Sequence, residues 1–166
     1  MFVLDDLNNP GLTNQGNRWQ FFTDGVMGGM SSGNVNIENY NGKKCYRMRG
    51  NVTTENNGGF IQMRVKIEPS IPSNEYTGVY LNVYGNNLKY AVHIRTPYTK
   101  LPWQYYNSKF IAINDWRDIK LPFFNFKKSN FYQPKQFNYH KIKTIGIVAG
   151  FDDFTADISV SEIGFY

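Results

Sequence analysis

The chain has one cysteine, Cys45, and two histidines, His93 and His140. A lone cysteine forms no internal disulfide and excludes a multi-cysteine zinc site. Thiol or general-base chemistry would have to be assembled from these three residues, and nothing in their sequence positions draws them together. Long apolar runs are missing too: no window approaches the roughly 20 apolar residues of a spanning helix. The N-terminal segment MFVLDDLNNPG carries two acids where a secretory signal has basic residues ahead of an apolar stretch. A soluble, unexported, cytoplasmic chain is expected, peripheral to a membrane through a partner. Helical periodicity is nearly absent, with no capped window of about eleven residues placing apolar side chains at i, i+3, i+4 and i+7.

Several function classes lack their motifs. The stretch TDGVMGGMSSG (23–33) is glycine-rich, but no Lys-Ser or Lys-Thr follows as a phosphate-binding loop requires, and no G-x-G-x-x-G is present. Ser31 and Ser32 lie in GMSSG, which is not the spacing of a nucleophile elbow. Acids gather in FDDFTAD, yet Asp152, Asp153 and Asp157 do not have the spacing of an EF-hand loop and read as a solvated turn; Asp5 and Asp6 are weaker candidates still. Neither a metal nor a cofactor is expected. The net charge of +5 is scattered apart from short pairs such as Lys127-Lys128, so no nucleic-acid partner is expected either.

Alternation with period two is abundant. GFIQMRVKIEP sets Ile61, Met63, Val65 and Ile67 on one face and Gln62, Arg64, Lys66 and Glu68 on the other. GVYLNVYGNN opposes Val79, Leu81 and Val83 to Tyr80, Asn82 and Tyr84, and LKYAVHIRTP opposes Tyr90, Val92 and Ile94 to Ala91, His93 and Arg95. The intervening GNN reads as a hairpin turn made by residues that tolerate positive φ. Further strands are expected over 35–39, 44–49, 104–113, 118–121, 144–149 and 156–166. The last changes phase, because Ile158 and Val160 share one parity and Ile163 and Phe165 the other, which predicts a bulge near Ser161 or Glu162. Segment 125–140 reads as a long loop pinned by Phe126, Phe131 and Phe137, with a binding edge on the sandwich rim as the alternative reading. A chain of 166 residues, 41% hydrophobic and 17% aromatic, suits one domain, and short strands between turns suit an all-β sandwich or barrel.

If the apolar sides of these strands face a core, then Arg64, Tyr80, Asn82, His93 and Arg95 stand together on the opposite side. Planar guanidinium forks, flat rings and a short amide are the groups that hold a sugar or a carboxylate. A solvated sheet face is the alternative reading. Cys45 faces outward by parity and reads as an unremarkable thiol.

Five stretches in order, RWQFFTDGVMGGMSSG, NNGGFIQMR, GVYLNVYGNNLKYAVHIRT, NDWRDIKLPFFNF and IKTIGI, resemble the complex I intermediate-associated protein 30 domain, over 18–166. The most specific positions are Asp24 with Val26, Met27, Gly28, Gly29 and Ser31, then Gly58-Gly59-Phe60, then Trp116 followed by Pro122, Phe123 and Phe126. The resemblance implies a galactose-binding-like jelly-roll β-sandwich in which 23–33 is an inter-strand corner. Gly25, Gly28 and Gly29 are then expected in dihedrals closed to other residues, with Asp24 bracing the turn by accepting backbone N–H groups. Trp19, Phe60, Phe110, Trp116 and Phe123 are expected at the core or its edge. The resemblance also implies a non-enzymatic, chaperone-like module that binds a protein intermediate in the assembly of a respiratory or other membrane complex, with a carbohydrate or small ligand on the arginine-tyrosine face as the alternative. The chain departs from the family at Asn86, where an Asp is common.

Overall fold

A computed structural model describes residues 1–72 and 75–166. Its regular elements are strands: β1 (Phe2–Asp5), β2 (Gln20–Thr23), β3 (Ser32–Tyr40), β4 (Lys43–Val52), β5 (Phe60–Lys66), β6 (Gly78–Tyr84), β7 (Leu88–Arg95), β8 (Tyr106–Ala112), β9 (Arg117–Pro122), β10 (Lys127–Lys128), β11 (Thr144–Gly150) and β12 (Phe154–Phe165). Single 3-10 turns are the only helical pieces among the described residues, as expected from a sequence without a 3.6-residue apolar period. The strands form two antiparallel sheets. The first runs β3-β4-β12-β6-β9, with β1 added to the far end of β12; the second runs β10-β8-β7-β11-β5-β2.

Period-two patterning drives the packing. Met48, Leu81 and Ile158 from the first sheet meet Ile61, Val92 and Ile147 from the second in one buried cluster. Each such side chain contributes roughly 2 kcal/mol by leaving water. The phase change in β12 is real: pairing with β6 slips between Val160 and Glu162, so Ile163 and Phe165 return to the core after Ile158 and Val160. The extra residue, Ser161, turns its hydroxyl to Asn82 Oδ1.

The turn between β6 and β7 departs from expectation. These strands are not a hairpin, because β6 belongs to the first sheet and β7 to the second. Gly85, Asn86 and Asn87 carry the chain across the sandwich edge. A Cβ on Gly85 would collide with Ala112, Asn87 takes the positive φ of 68°, and Asn86 donates from Nδ2 to Thr155 O (2.9 Å) while accepting from Tyr90 Oη (2.6 Å). Asn86 thus ties the crossing to both sheets with an amide, a double role that a carboxylate cannot fill.

Aromatic placement is mixed. Phe110 is buried, and Trp19 and Phe123 pack against the core. Phe60 has the parity of Gln62 and Arg64 and lies on the outer face, edge-on to Phe22 at 5.9 Å. Trp116 sits outside the core on Tyr84, with Nε1 donating to Asn41 O and Lys43 over its ring. In 125–140, Phe126 and Phe137 pin the segment as expected, but Phe131 is exposed. The short β10 also forms there, against β8.

Candidate functional site

The 23–33 corner is built around one acid. Asp24 is fully buried and accepts from Ser31 N (2.9 Å), Ser31 Oγ, Gly59 N and Phe60 N (3.2 Å). Burial would raise its pKa; the hydrogen bonds from Ser31, Gly59 and Phe60 outweigh that and hold it below the ordinary carboxylate value. A Cβ on Gly29 or Gly58 would overlap the carboxyl group, so both glycines are there for close approach. Of the three glycines expected in unusual dihedrals, only Gly28 has a positive φ, 84°; Gly25 and Gly29 do not. With every carboxylate oxygen engaged by the protein, Asp24 is a brace.

The five residues expected on one face divide between the two sides of the molecule. Tyr80 and Asn82 stand on the outer face of the first sheet, where Tyr80 Oη donates to Glu162 (2.7 Å) and Asn82 bridges Lys43 and Asp118. Parity set the direction of each side chain but not the sheet its strand joins. Arg64, His93 and Arg95 do share a face. Gly146 on β11 lies opposite both Arg64 and His93, and its neighbour Thr144 lies opposite Arg95, so the three occupy adjoining rows across three strands. Two strand spacings separate Arg64 from His93 at the backbone, about 10 Å.

The chemistry of this face is one-sided. None of its six strands carries an Asp or Glu, while Arg64, Lys66, Lys89, Arg95 and Lys109 project outward. Arg64 lies over Phe22 (4.6 Å) with no ion pair among the described residues, and burial pushes its pKa down. Arg95 donates to Thr99 O (2.9 Å) and Leu101 O (3.0 Å); burial and then the charge of Arg64 lower its pKa. His93 is buried flat against Tyr105, ring centroids 3.9 Å apart, and its Nε2 has no hydrogen-bond partner. Desolvation, offset in part by Asn107 and reinforced by Arg95, pulls its pKa down to about 4.

Beside this cluster lies an open cleft of about 490 Å³, floored by Ala91, Val148 and Gly150, walled by Ile111 and Phe151, and flanked by Lys89 and Lys109, with Asp152 of the neighbouring loop the one acid on its lining. On the same face, the missing Cβ of Gly146 leaves room for Gln62 to lie across β11. Sequence reasoning missed Phe22, Tyr105, Phe151 and the two lysines. One signal was available: only Asp115 and Asp118 interrupt an otherwise acid-free run over 76–151.

The outer face of the first sheet is the converse. Arg47 forms ion pairs with Asp157 (2.8 Å) and Glu38 (3.0 Å), and Arg49 lies 3.6 Å from Glu38. Cys45 is fully buried there, with Sγ 3.5 Å from Glu38 O, and burial raises its pKa; the sandwich separates it from His93. Among the described residues no group of His, Cys, Asp and Glu could hold a metal. Asp153 is occupied by Thr54, Asp157 by Arg47, and Asp5 by Trp19 and Tyr46. No described helix is long and apolar enough to cross a membrane.

Solved structures share this architecture at low identity. The family 11 carbohydrate-binding module of the cellulosomal cellulase Lic26A-Cel5E of Clostridium thermocellum is 13% identical, with a TM-score of 0.73 over 98% of this chain and 92% of that one. The family 30 carbohydrate-binding module of the cellulase Cel9D-Cel44B of Clostridium thermocellum is 14% identical, with a TM-score of 0.54 over 80% and 82%. An exo-beta-agarase matches at 8% identity and a TM-score of 0.62, over all of this chain and 25% of its own. These likenesses fix the fold as a galactose-binding-like β-sandwich. No curated protein matches the sequence. The family model of the Complex I intermediate-associated protein 30 (CIA30) matches residues 9–160, a span that takes in the Asp24 brace and every strand but β1 and the end of β12, and the chain belongs to that family.

Proposed function

We propose that the domain is a non-catalytic binding module that holds an acidic segment of a protein partner against the outer face of the second sheet, in the assembly of a respiratory or other membrane complex. The observation that carries this reading is the acid-free sheet: Arg64 and Arg95 are partly desolvated without a carboxylate, while arginines on the opposite sheet are neutralised. A guanidinium kept in that state is ready to receive an incoming anion. The family's name, which ties it to an intermediate of complex I, supports a protein partner.

Affinity capture from the native host under gentle solubilisation tests it. The wild-type chain is expected to retain subunits of a membrane complex, and Arg64→Glu with Arg95→Glu to lose them. Capture of the same subunits by both forms would sink the sheet-face reading; capture of none would sink the assembly role.

A carbohydrate ligand is the second reading. It is favoured by the small-residue floor of the cleft at Phe151, by the stacked His93 and Tyr105 rings next to it, and by a similar structure described in complex with a beta-1,3-1,4-mixed-linked tetrasaccharide. Binding of neutral glycans on an array, abolished by Tyr105→Ala, would replace the first reading with this one.

A further inference from the structure

A second surface lies at the rim, where loops 96–105 and 129–135 meet. Phe131 and Tyr132 are 83% and 86% exposed and pack edge-to-face on each other; Trp103 on the adjoining loop is 58% exposed, and Phe124 across β10 is 79% exposed. Rings this bare are costly in water, and here they are clustered rather than scattered. Lys128 holds the cluster together, with its ammonium 5.3 Å from the Phe131 ring and donating to Phe131 O. Between Phe124 and Lys128 opens a cleft of about 530 Å³ with a floor of Phe123, Phe126 and Phe137, and Lys127, Lys128 and Lys135 at its mouth. No acid occurs from 119 to 151 to neutralise these lysines.

Behind the tips, the two loops are tied to each other from within. Ser129 N donates to Tyr105 O (2.9 Å), Tyr105 N to Ser129 Oγ (2.9 Å), Ser129 Oγ to Trp103 O (2.7 Å), and Gln133 Nε2 to Tyr105 O (2.9 Å). Each polar group paired internally lowers the penalty of leaving bulk water. Trp, Tyr and Phe tips beside lysines are the side chains that settle at a bilayer interface, rings among the headgroups and ammonium groups on the phosphates.

We propose that this rim docks the domain directly on an anionic lipid bilayer, Trp103, Phe131 and Tyr132 entering the headgroup layer while Lys127 and Lys135 meet lipid phosphates. A lipid surface is favoured over an acidic protein because the most exposed rings project from loop tips, with the lysines beside them, and the phenylalanine-floored cleft between suits an acyl chain. Direct docking would add to the peripheral association through a partner expected from the sequence.

Co-sedimentation of the full chain with vesicles tests it. Vesicles of phosphatidylcholine and phosphatidylglycerol in equal parts are expected to carry the protein down, and pure phosphatidylcholine vesicles to carry at least tenfold less. Phe131→Ala with Tyr132→Ala should reduce sedimentation by about tenfold or more, and Lys127→Gln and Lys135→Gln by roughly fivefold per lysine. Lipid brominated on its acyl chains should quench fluorescence that disappears in Trp103→Phe, which an electrostatic contact without insertion would not do. These side chains are exposed, and an unchanged melting curve establishes that each variant is folded. Absence of sedimentation with the mixed vesicles overturns the proposal; so does binding that survives both rim variants, or binding lost instead in Arg64→Gln with Arg95→Gln, which would move the activity to the sheet face. Partner capture in the earlier experiment reads the sheet face alone, so the two readings fail separately.

Discussion

Asp24 and His93 are both buried ionisable groups, handled in opposite ways. The Asp24 carboxylate is surrounded by donors, so Asp24→Asn turns one acceptor into a donor facing N–H groups; a loss of roughly 2–4 kcal/mol in urea unfolding is expected, and Gly29→Ala should cost a similar amount by forcing a methyl group into the carboxyl. Because its folded pKa is depressed, the Asp24 contribution is complete above the unfolded value of about 4 and is lost as pH falls through the folded one. His93 also titrates low, at about 4 against an unfolded value near 6.5, so the unfolded chain binds the extra proton between these limits. Stability attributable to His93 is therefore complete above pH about 6.5 and declines by up to roughly 3 kcal/mol as pH falls to about 4. Melting curves of His93→Phe should lose most of the pH dependence in that window; an unchanged slope would refute the assignment. That Asp24 braces a turn is readable from a short acid among glycines. That its donors arrive from Gly59 and Phe60, 35 and 36 residues later, is not, because the cage closes across strands.

Most strands were legible because they bury one side, and the β12 bulge was legible because an inserted residue inverts parity; the short β1, β2 and β10 were not, having too few residues to show an alternation. Sheet membership was not. Period two says which way Tyr80 and His93 point from their own strands, and the same GNN turn serves a hairpin or a crossing between sheets; the choice is made by packing of Gly85 on Ala112 and by the two hydrogen bonds of Asn86, all long-range or side-chain effects. Restoring the acid common in the family tests this. Asn86→Asp loses the donor to Thr155 O and sets a carboxylate against a carbonyl oxygen, so destabilisation by about 1–2 kcal/mol is expected at neutral pH, with recovery below pH about 4 when the carboxyl becomes a donor. Thermal unfolding at both pH values measures it. Segment 125–140 illustrates the same limit: Phe126, Phe131 and Phe137 are indistinguishable in sequence, yet two are held inside and one is presented to solvent, because β10 pairs with β8 between them.

At the scale of the molecule, the two outer faces differ in how their cations are matched, and the difference should appear as opposite responses to mutation. Arg47→Ala removes a guanidinium bridging Asp157 and Glu38 and lying 3.9 Å from the Tyr40 ring, and should cost about 1–2 kcal/mol. Arg64→Leu removes an unpaired, partly desolvated charge and leaves an apolar side chain on Phe22; stability should hold or rise by about 0.5–1 kcal/mol while partner capture falls. Paired denaturation curves decide, and a clear loss in Arg64→Leu would show that this arginine serves the fold. Segregated charge also gives the domain a heading. A body balanced on one side and positive on the other has a lasting dipole, so a distant anionic surface turns it before touching it. Encounters would then begin already aimed, more often and more selectively than blind collision allows, and added salt would blunt that aim before it loosened any grip.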